Sequence, residues 1–515
     1  MSLFRSFATV ASNTLASRVL GFARDILIAS SLGAGTVADA FFAAFKLPNL
    51  FRRLFAEGAF NAAFVPMYAR RREGDGAADA QAFADAVFTI MTTVLIGLVI
   101  LIEAGLPWLM QVITPGFALI PGKMELATDL TRITFPYILL ISLVAMMSGV
   151  LNSVGKFGAA AATPIILNLT LIAAITLFAG RAETPGHALA WGVAVAGVLQ
   201  FLWVANACRA TTVMPRFQRP RLTPDVKTML VRMIPGVIGA GVYQINLIVD
   251  MVIATLVADG ALSFLYFADR VTQLPLGVVG VAIGTALLPL LSRQLRAGRE
   301  AEAMANQNRA IEMSLLFTLP AAVALVVIPL PIVATLFEHG RFNAADTVAT
   351  AGALAAFAVG LPAYVLIKVL APGFFAREDT RTPVRIAIVA LIANVVLNLA
   401  LMGPLGHVGV ALATAISAWL NVILLAITLR RRSGLTLDAR LLSRLPRILI
   451  ATAGMAALLW FLMPYAQAWD DGTTAMRALG LAMLILSGMA AFGLLAQITG
   501  AARLAEIRGM MRRTP

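Results

Sequence analysis

Runs of about twenty mostly apolar residues, each long enough to cross the hydrocarbon core of a bilayer as a helix, recur along the whole chain. They place spans near 10–33, 37–67, 84–112, 130–155, 160–180, 187–208, 230–257, 260–291, 311–337, 347–375, 384–403, 406–429, 446–465 and 474–499. A chain so patterned is an all-α polytopic membrane protein with about 14 transmembrane helices. Composition closes off the alternatives: 60% of the 515 residues are hydrophobic and 13% are charged, against about 25% charged in a soluble globular protein. A soluble enzyme, a disulfide-stapled secreted domain and a disordered tail are thereby excluded.

The chain is nonetheless basic, with a formal charge of +14. Lys and Arg in short loops orient a membrane protein toward the cytoplasm. With both termini inside, 28 of the 40 cations fall in cytoplasmic segments and five outside, at Lys123, Arg132, Arg181, Arg341 and Arg477. Seven remain within spans. The basic stretches flank spans and lack interleaved aromatics, so they do not read as a nucleic-acid surface. The sole cysteine, Cys208, excludes a disulfide within the chain and any cysteine-based metal cluster. His187, His339 and His407 are scattered on the outer side, and Asp470-Asp471 has no partner cluster.

Self-comparison shows a weak internal repeat. Phe64-Val65-Pro66-Met67-Tyr68-Ala69-Arg70 resembles Leu287-Leu288-Pro289-Leu290-Leu291-Ser292-Arg293 at an offset of 223 residues. Thr163-Pro164 and Thr382-Pro383 lie 219 apart, and Gly186-His187 and Gly406-His407 lie 220 apart. The matches predict two pseudo-symmetric six-helix bundles plus two C-terminal helices, with segments 1–215, 216–432 and 433–515.

The seven intramembrane cations are the chemistry-bearing residues, because each costs about 2.5–3.5 kcal/mol on insertion scales unless it meets a wet cavity or a partner. Ser17, Arg18, Arg24 and Asp25 form neighbouring stripes on the first span at helical spacing. Asp39, Lys46 and Arg53 repeat at seven on the second, with Arg52 alongside and Glu57 four residues beyond. Five cations against three acids in this half, with Asp269-Arg270 in the other, predict a guanidinium-rich cavity. Guanidinium offers a planar donor fork matched to phosphate and stays charged in poor solvent. An anionic, phosphate-bearing substrate fits better than a cationic drug, which calls for carboxylates and aromatic rings.

The block Ser17-Arg18-Val19-Leu20-Gly21-Phe22-Ala23-Arg24-Asp25 resembles the N-terminal signature of the MurJ (MviN) lipid II flippases. So do Asp39-Ala40-Phe41-Phe42, the run from Phe45 to Phe60, Thr134-Phe135-Pro136-Tyr137, Ala268-Asp269-Arg270 and Lys368-Val369-Leu370-Ala371-Pro372-Gly373-Phe374. The resemblance implies the fold of the multidrug/oligosaccharidyl-lipid/polysaccharide exporter superfamily, with a groove for a lipid tail in 433–515. It implies a substrate, lipid II (an anionic undecaprenyl-diphosphate glycolipid), moved to the outer leaflet of the bacterial inner membrane. It also implies essential roles for Arg18, Arg24, Arg52, Arg270 and Asp39.

On that reading Arg24, Arg52 and Arg270 grip the diphosphate while Arg18 and Arg53 set the cavity potential. Asp25, Asp39, Glu57 and Asp269 orient the guanidiniums, with Ser17 and Lys46 in the same polar network. No cofactor is required. The sodium site of some members corresponds to Asp250, Asn394, Asn398, Val410 and Thr414, with Asn398 standing where a sodium-binding member has a carboxylate. The alternatives are an exporter of another polyprenyl-linked glycan or of drugs, and an intramembrane glycosyl or phosphoglycosyl transferase. The last would need a positioned base or metal-binding carboxylates, and no convincing cluster is visible in the sequence.

Overall fold

In lipid an unpaired backbone N–H or C=O has no water to turn to, so an apolar run satisfies itself as helix. The computed structural model describes residues 3–52, 60–433, 435–467 and 473–502, and the regular structure among them is helical. The first helices are α1 (Leu3–Leu32), α2 (Thr36–Arg52), α3 (Phe60–Gly74) and α4 (Ala77–Ile113), followed by a 3-10 turn at Pro115–Leu119. Next come α5 (Lys123–Thr134), α6 (Tyr137–Ser153), α7 (Gly158–Phe178), α8 (Pro185–Ala210), α9 (Pro224–Val257) and α10 (Ala261–Arg296). The rest are α11 (Glu300–Val327), α12 (Pro329–Phe337), α13 (Ala344–Phe375), α14 (Arg381–Ser433), α15 (Ala439–Gln467) and α16 (Thr474–Thr499).

Nine helical stretches among the described residues are long and apolar enough to cross a membrane. Outside that group lie α1, α2, α9 and α10, which hold the expected spans 10–33, 37–67, 230–257 and 260–291. Three expected spans are subdivided. The 37–67 run is α2 and α3, with 53–59 outside the described residues. The 130–155 run breaks at Phe135-Pro136, and the 311–337 run breaks at Ile328 (φ −120°, ψ 43°) ahead of Pro329. Proline disfavours helical backbone in the residue before it, which accounts for the break at Ile328. The opposite case is α14, where two expected spans meet at one non-helical residue, Gly406 (φ 58°, ψ −137°). Caps set other starts: the Thr184 and Thr223 hydroxyls accept backbone N–H from His187 and Val226, each just ahead of a proline.

Packing divides the chain into two compact units. The first comprises residues 1–263 with 339–342. In it α1 lies along α7 in the same direction, for Thr9 neighbours Gly158 and Arg24 neighbours Asn168. An aromatic stack fills the space between α3 and α4, with Phe64 5.1 Å from Phe60 and 5.7 Å from both Tyr68 and Phe83. Helix α9 packs on α3, α4 and the 3-10 turn. Its link to α8 is strapped to α4: Asp85 accepts from Arg216 N at 2.9 Å and Gln218 Nε2 at 3.0 Å.

The second unit comprises residues 264–338 and 343–515. Leu287, Leu291, Ile311, Leu370, Phe374 and Leu425 belong to its core, and α15 and α16 attach to α11 through Leu316, Ile448 and Ala496. The α11–α15 junction is fixed by Glu312, whose carboxylate is 3% exposed and accepts from Arg309, from Arg440 Nη2 at 3.5 Å and from Arg444 Nη1 at 2.5 Å. Removing one partner of a buried pair costs about 3–5 kcal/mol, because the other charge is stranded. Glu312→Ala should therefore lower the thermal midpoint of the detergent-solubilised protein markedly, and Glu312→Gln by less, since the amide oxygen still accepts.

Candidate functional site

The site is built from α1 and α2, with α7 and α5 as their polar supports. Arg24 is 6% exposed and Asp25 2%. Adjacent on α1, they join through one carboxylate oxygen, which accepts from Arg24 Nε at 3.0 Å and Nη2 at 2.7 Å. The third guanidinium edge donates through Nη1 to Asn168 Oδ1 on α7 at 2.9 Å. Asn168 Nδ2 in turn donates to the Ser17 carbonyl at 2.9 Å. Arg24 is thus held by three hydrogen bonds to two acceptors in a fixed plane, the pre-organisation that a bidentate anion contact requires.

Of the other expected α1 and α2 residues, Arg18 is exposed, whereas Ser17, Lys46 and Arg52 are half-buried. Arg18 and Asp25 share a stripe by spacing but not by burial. The stripe lies open beside the exposed Leu15 and Val19 and closes only at Asp25. Arg53 and Glu57 lie outside the described residues.

Asp39 differs from expectation in its partner. Its carboxylate is 1% exposed and accepts from Lys123 Nζ at 2.8 Å, Gly260 N at 2.8 Å, Ser263 N at 2.8 Å and Ser263 Oγ at 2.6 Å. These contacts engage an ammonium and a helix start, not a guanidinium. Lys123, read from sequence as a loop cation, is 1% exposed at the first residue of α5 and also binds Asp259 at 2.6 Å. Lys123, Asp259, Ser263 and Asn168 are the polar residues that sequence reasoning missed. The one local signal was the pair of Pro-Gly turns at Pro115-Gly116 and Pro121-Gly122, which fold the chain before Lys123 back on itself. Nearby, Arg341 N donates to the Ser30 carbonyl at 2.8 Å.

In the second unit Arg270 is half-buried; its Nη2 donates to Tyr266 Oη at 2.9 Å, and its guanidinium lies 4.8 Å from the centre of that ring. Asp269 is exposed and accepts from Gln273 Nε2. Four of the expected sodium ligands gather across the α14 break: Asn394, Asn398, Val410 and Thr414. Asn394 Nδ2 faces Thr414 Oγ1 at 3.5 Å and Ser417 Oγ at 3.4 Å, and Asn398 Nδ2 donates to Asn394 Oδ1 at 2.9 Å. Amide hydrogens therefore face Thr414 Oγ1, Ser417 Oγ and Asn394 Oδ1, and the four supply no carboxylate. Asp250 belongs to the first unit, where its Oδ2 accepts from Asn246 Nδ2 at 3.0 Å.

Residues 28–480 match the family model described as "Lipid II flippase MurJ". A relative from Rhizobium meliloti (strain 1021), named "Probable lipid II flippase MurJ", is 46% identical over 522 aligned residues, covering 100% of this chain and 97% of the relative. The solved structure "Lipid II flippase MurJ, inward closed conformation" superposes with a TM-score of 0.79 at 26% identity, covering 95% of this chain and 98% of that one. An inward-facing multidrug transporter of the MATE family and MOP superfamily has a TM-score of 0.68 at 15% identity, covering 81% and 95%; this likeness shows the fold alone. The chain belongs to the lipid II flippase MurJ family.

Proposed function

We propose that this multi-pass membrane protein, a transporter and not an enzyme, carries lipid II from the inner to the outer leaflet of the bacterial cytoplasmic membrane by alternating access. About 14 spans leave both termini cytoplasmic. The repeats at 1–215 and 216–432 are the moving bodies, and 433–515 is the groove for the polyprenyl tail. Arg18, Arg24, Arg52, Arg53 and Arg270 supply the positive field, and no cofactor takes part.

The observation that carries the chemistry is Arg24, a guanidinium nearly sealed from solvent on a membrane helix and held by three hydrogen bonds. A diphosphate arriving there can take the Nε–Nη2 edge that Asp25 occupies, while Asn168 keeps the plane fixed. On departure Asp25 returns, so the cation is never left bare in a poor solvent. The substrate's charge needs this shelter, whereas its tail can stay in lipid. An inside-negative potential favours outward movement of an anion by about 2.3 kcal/mol per charge per 100 mV, so long as the protein cations stay behind.

Depletion of the protein in growing cells tests the reading. Lipid II should accumulate in the inner leaflet, out of reach of a lipid II-cleaving probe added from outside. Accumulation on the accessible side would overturn it. No contact among the described residues favours a drug substrate.

A further inference from the structure

Two carboxylates and one ammonium meet at one end of the first unit, the end that the lysine and arginine bias reads as outer. Asp39 and Lys123 belong to α2 and α5, which lie against each other and are tied again by Thr134 Oγ1 donating to Ala44 O at 3.0 Å. Asp259 and Gly260 form the turn between α9 and α10, and Ser263 lies in the first turn of α10. Lys123 Nζ has three donors. It spends one on Asp39 at 2.8 Å and one on Asp259 at 2.6 Å, and it lies 4.4 Å from the centre of the Phe117 ring. Asp259 is further held by Thr36 Oγ1 at 2.9 Å.

The electrostatics are asymmetric. Asp39 and Lys123 are each 1% exposed, so their charges see little water. Asp259 is 44% exposed and solvates itself when released. Without the ammonium, docking the turn would bring a second carboxylate up to a buried first one, and like charges at short range in poor solvent repel strongly.

We propose that Lys123 is the positioning residue of the outer closure. It neutralises Asp39 within its own bundle, so that Asp39 can receive the Gly260 and Ser263 donors while Asp259 approaches. Outward opening then parts the α9–α10 turn from an Asp39–Lys123 pair that stays together. No other described side chain donates to both carboxylates. The inference rests on the alternating-access reading and not on which lipid is carried.

The test is hydrogen–deuterium exchange on the full chain in lipid nanodiscs, without substrate, because the amides of Gly260 and Ser263 are donors to Asp39. In Lys123→Met, exchange over 258–263 should quicken roughly tenfold or more, with 124–134 unchanged. Adding Asp259→Asn should return it toward the wild-type rate, since one anion then remains in place of two. Unchanged exchange in Lys123→Met would overturn the proposal. So would acceleration spread through α2 and α5 that the double variant fails to reverse, because Lys123 would then merely hold the local fold. Failure of the flippase reading is distinguishable: the wild-type chain would transport no lipid II, yet the exchange pattern would stand.

Discussion

Arg24→Ala should abolish lipid II transport in proteoliposomes, and Arg24→Ala/Asp25→Ala should fail equally while regaining the stability that the single variant loses. The two effects have separate origins. The single change takes the guanidinium from Asp25, which is 2% exposed, and breaking a buried pair costs about 3–5 kcal/mol. The double change removes both charges and recovers most of that. Neither variant keeps the donor fork. Two charge-assisted hydrogen bonds at about 1.5–3 kcal/mol each are lost to a phosphate, roughly a hundredfold or more in occupancy of the loaded state. Arg24→Lys should also transport poorly, for an ammonium cannot span the Asp25 and Asn168 acceptors in one plane. The measurements are lipid II accessibility over time and the thermal midpoint. Near-wild-type transport by the double variant would remove Arg24 from the mechanism.

Gly116→Ala should destabilise the protein by about 1–3 kcal/mol or more, whereas Gly97→Ala should be neutral or stabilising by up to about 1 kcal/mol, as alanine in a helix usually is. Both are glycines in apolar surroundings and differ only in what lies above them. A Cβ on Gly116 would sit 1.8 Å from the Thr255 carbonyl oxygen and 2.7 Å from Leu256 N, all backbone of α9, while nothing lies within 4 Å of one on Gly97. No rotamer change relieves a clash with main chain, so α9 must lift off the 3-10 turn. Gly116 N also loses its approach to Thr255 Oγ1 at 3.4 Å. Thermal unfolding of the two variants side by side decides it, and equal midpoints would mean that α9 does not press on this turn.

Local chemistry was legible where neighbours in the chain are neighbours in space. Arg24 and Asp25 are adjacent, and their pairing follows from two opposite charges within a span. The Gly406 break follows from a loop too short to read as anything else between two apolar runs. The Asp39 site was not legible. Its partners stand 84 and 224 residues away, and Lys123 reads in sequence like any other outer-loop cation. Spacing also misled at Arg18, for periodicity reports which face a residue occupies and not whether another helix covers that face at that height.

The sequence by itself determined that this chain lives in a bilayer, which way its cations bias the spans, which few charges are out of place there, and, through the span 1–2 block, its family. Those properties depend on the solvent, and the solvent acts on each segment separately: lipid demands apolar surface and internally satisfied backbone wherever the chain crosses it. Only the tertiary structure decided which misplaced charges meet. It set Asn168 behind Arg24, sealed Lys123 between Asp39 and Asp259, and closed Gly116 under α9. The physical reason is that a buried charge is stabilised by whichever group packing brings within about 3 Å, and packing between helices distant in sequence leaves no periodic trace in either one.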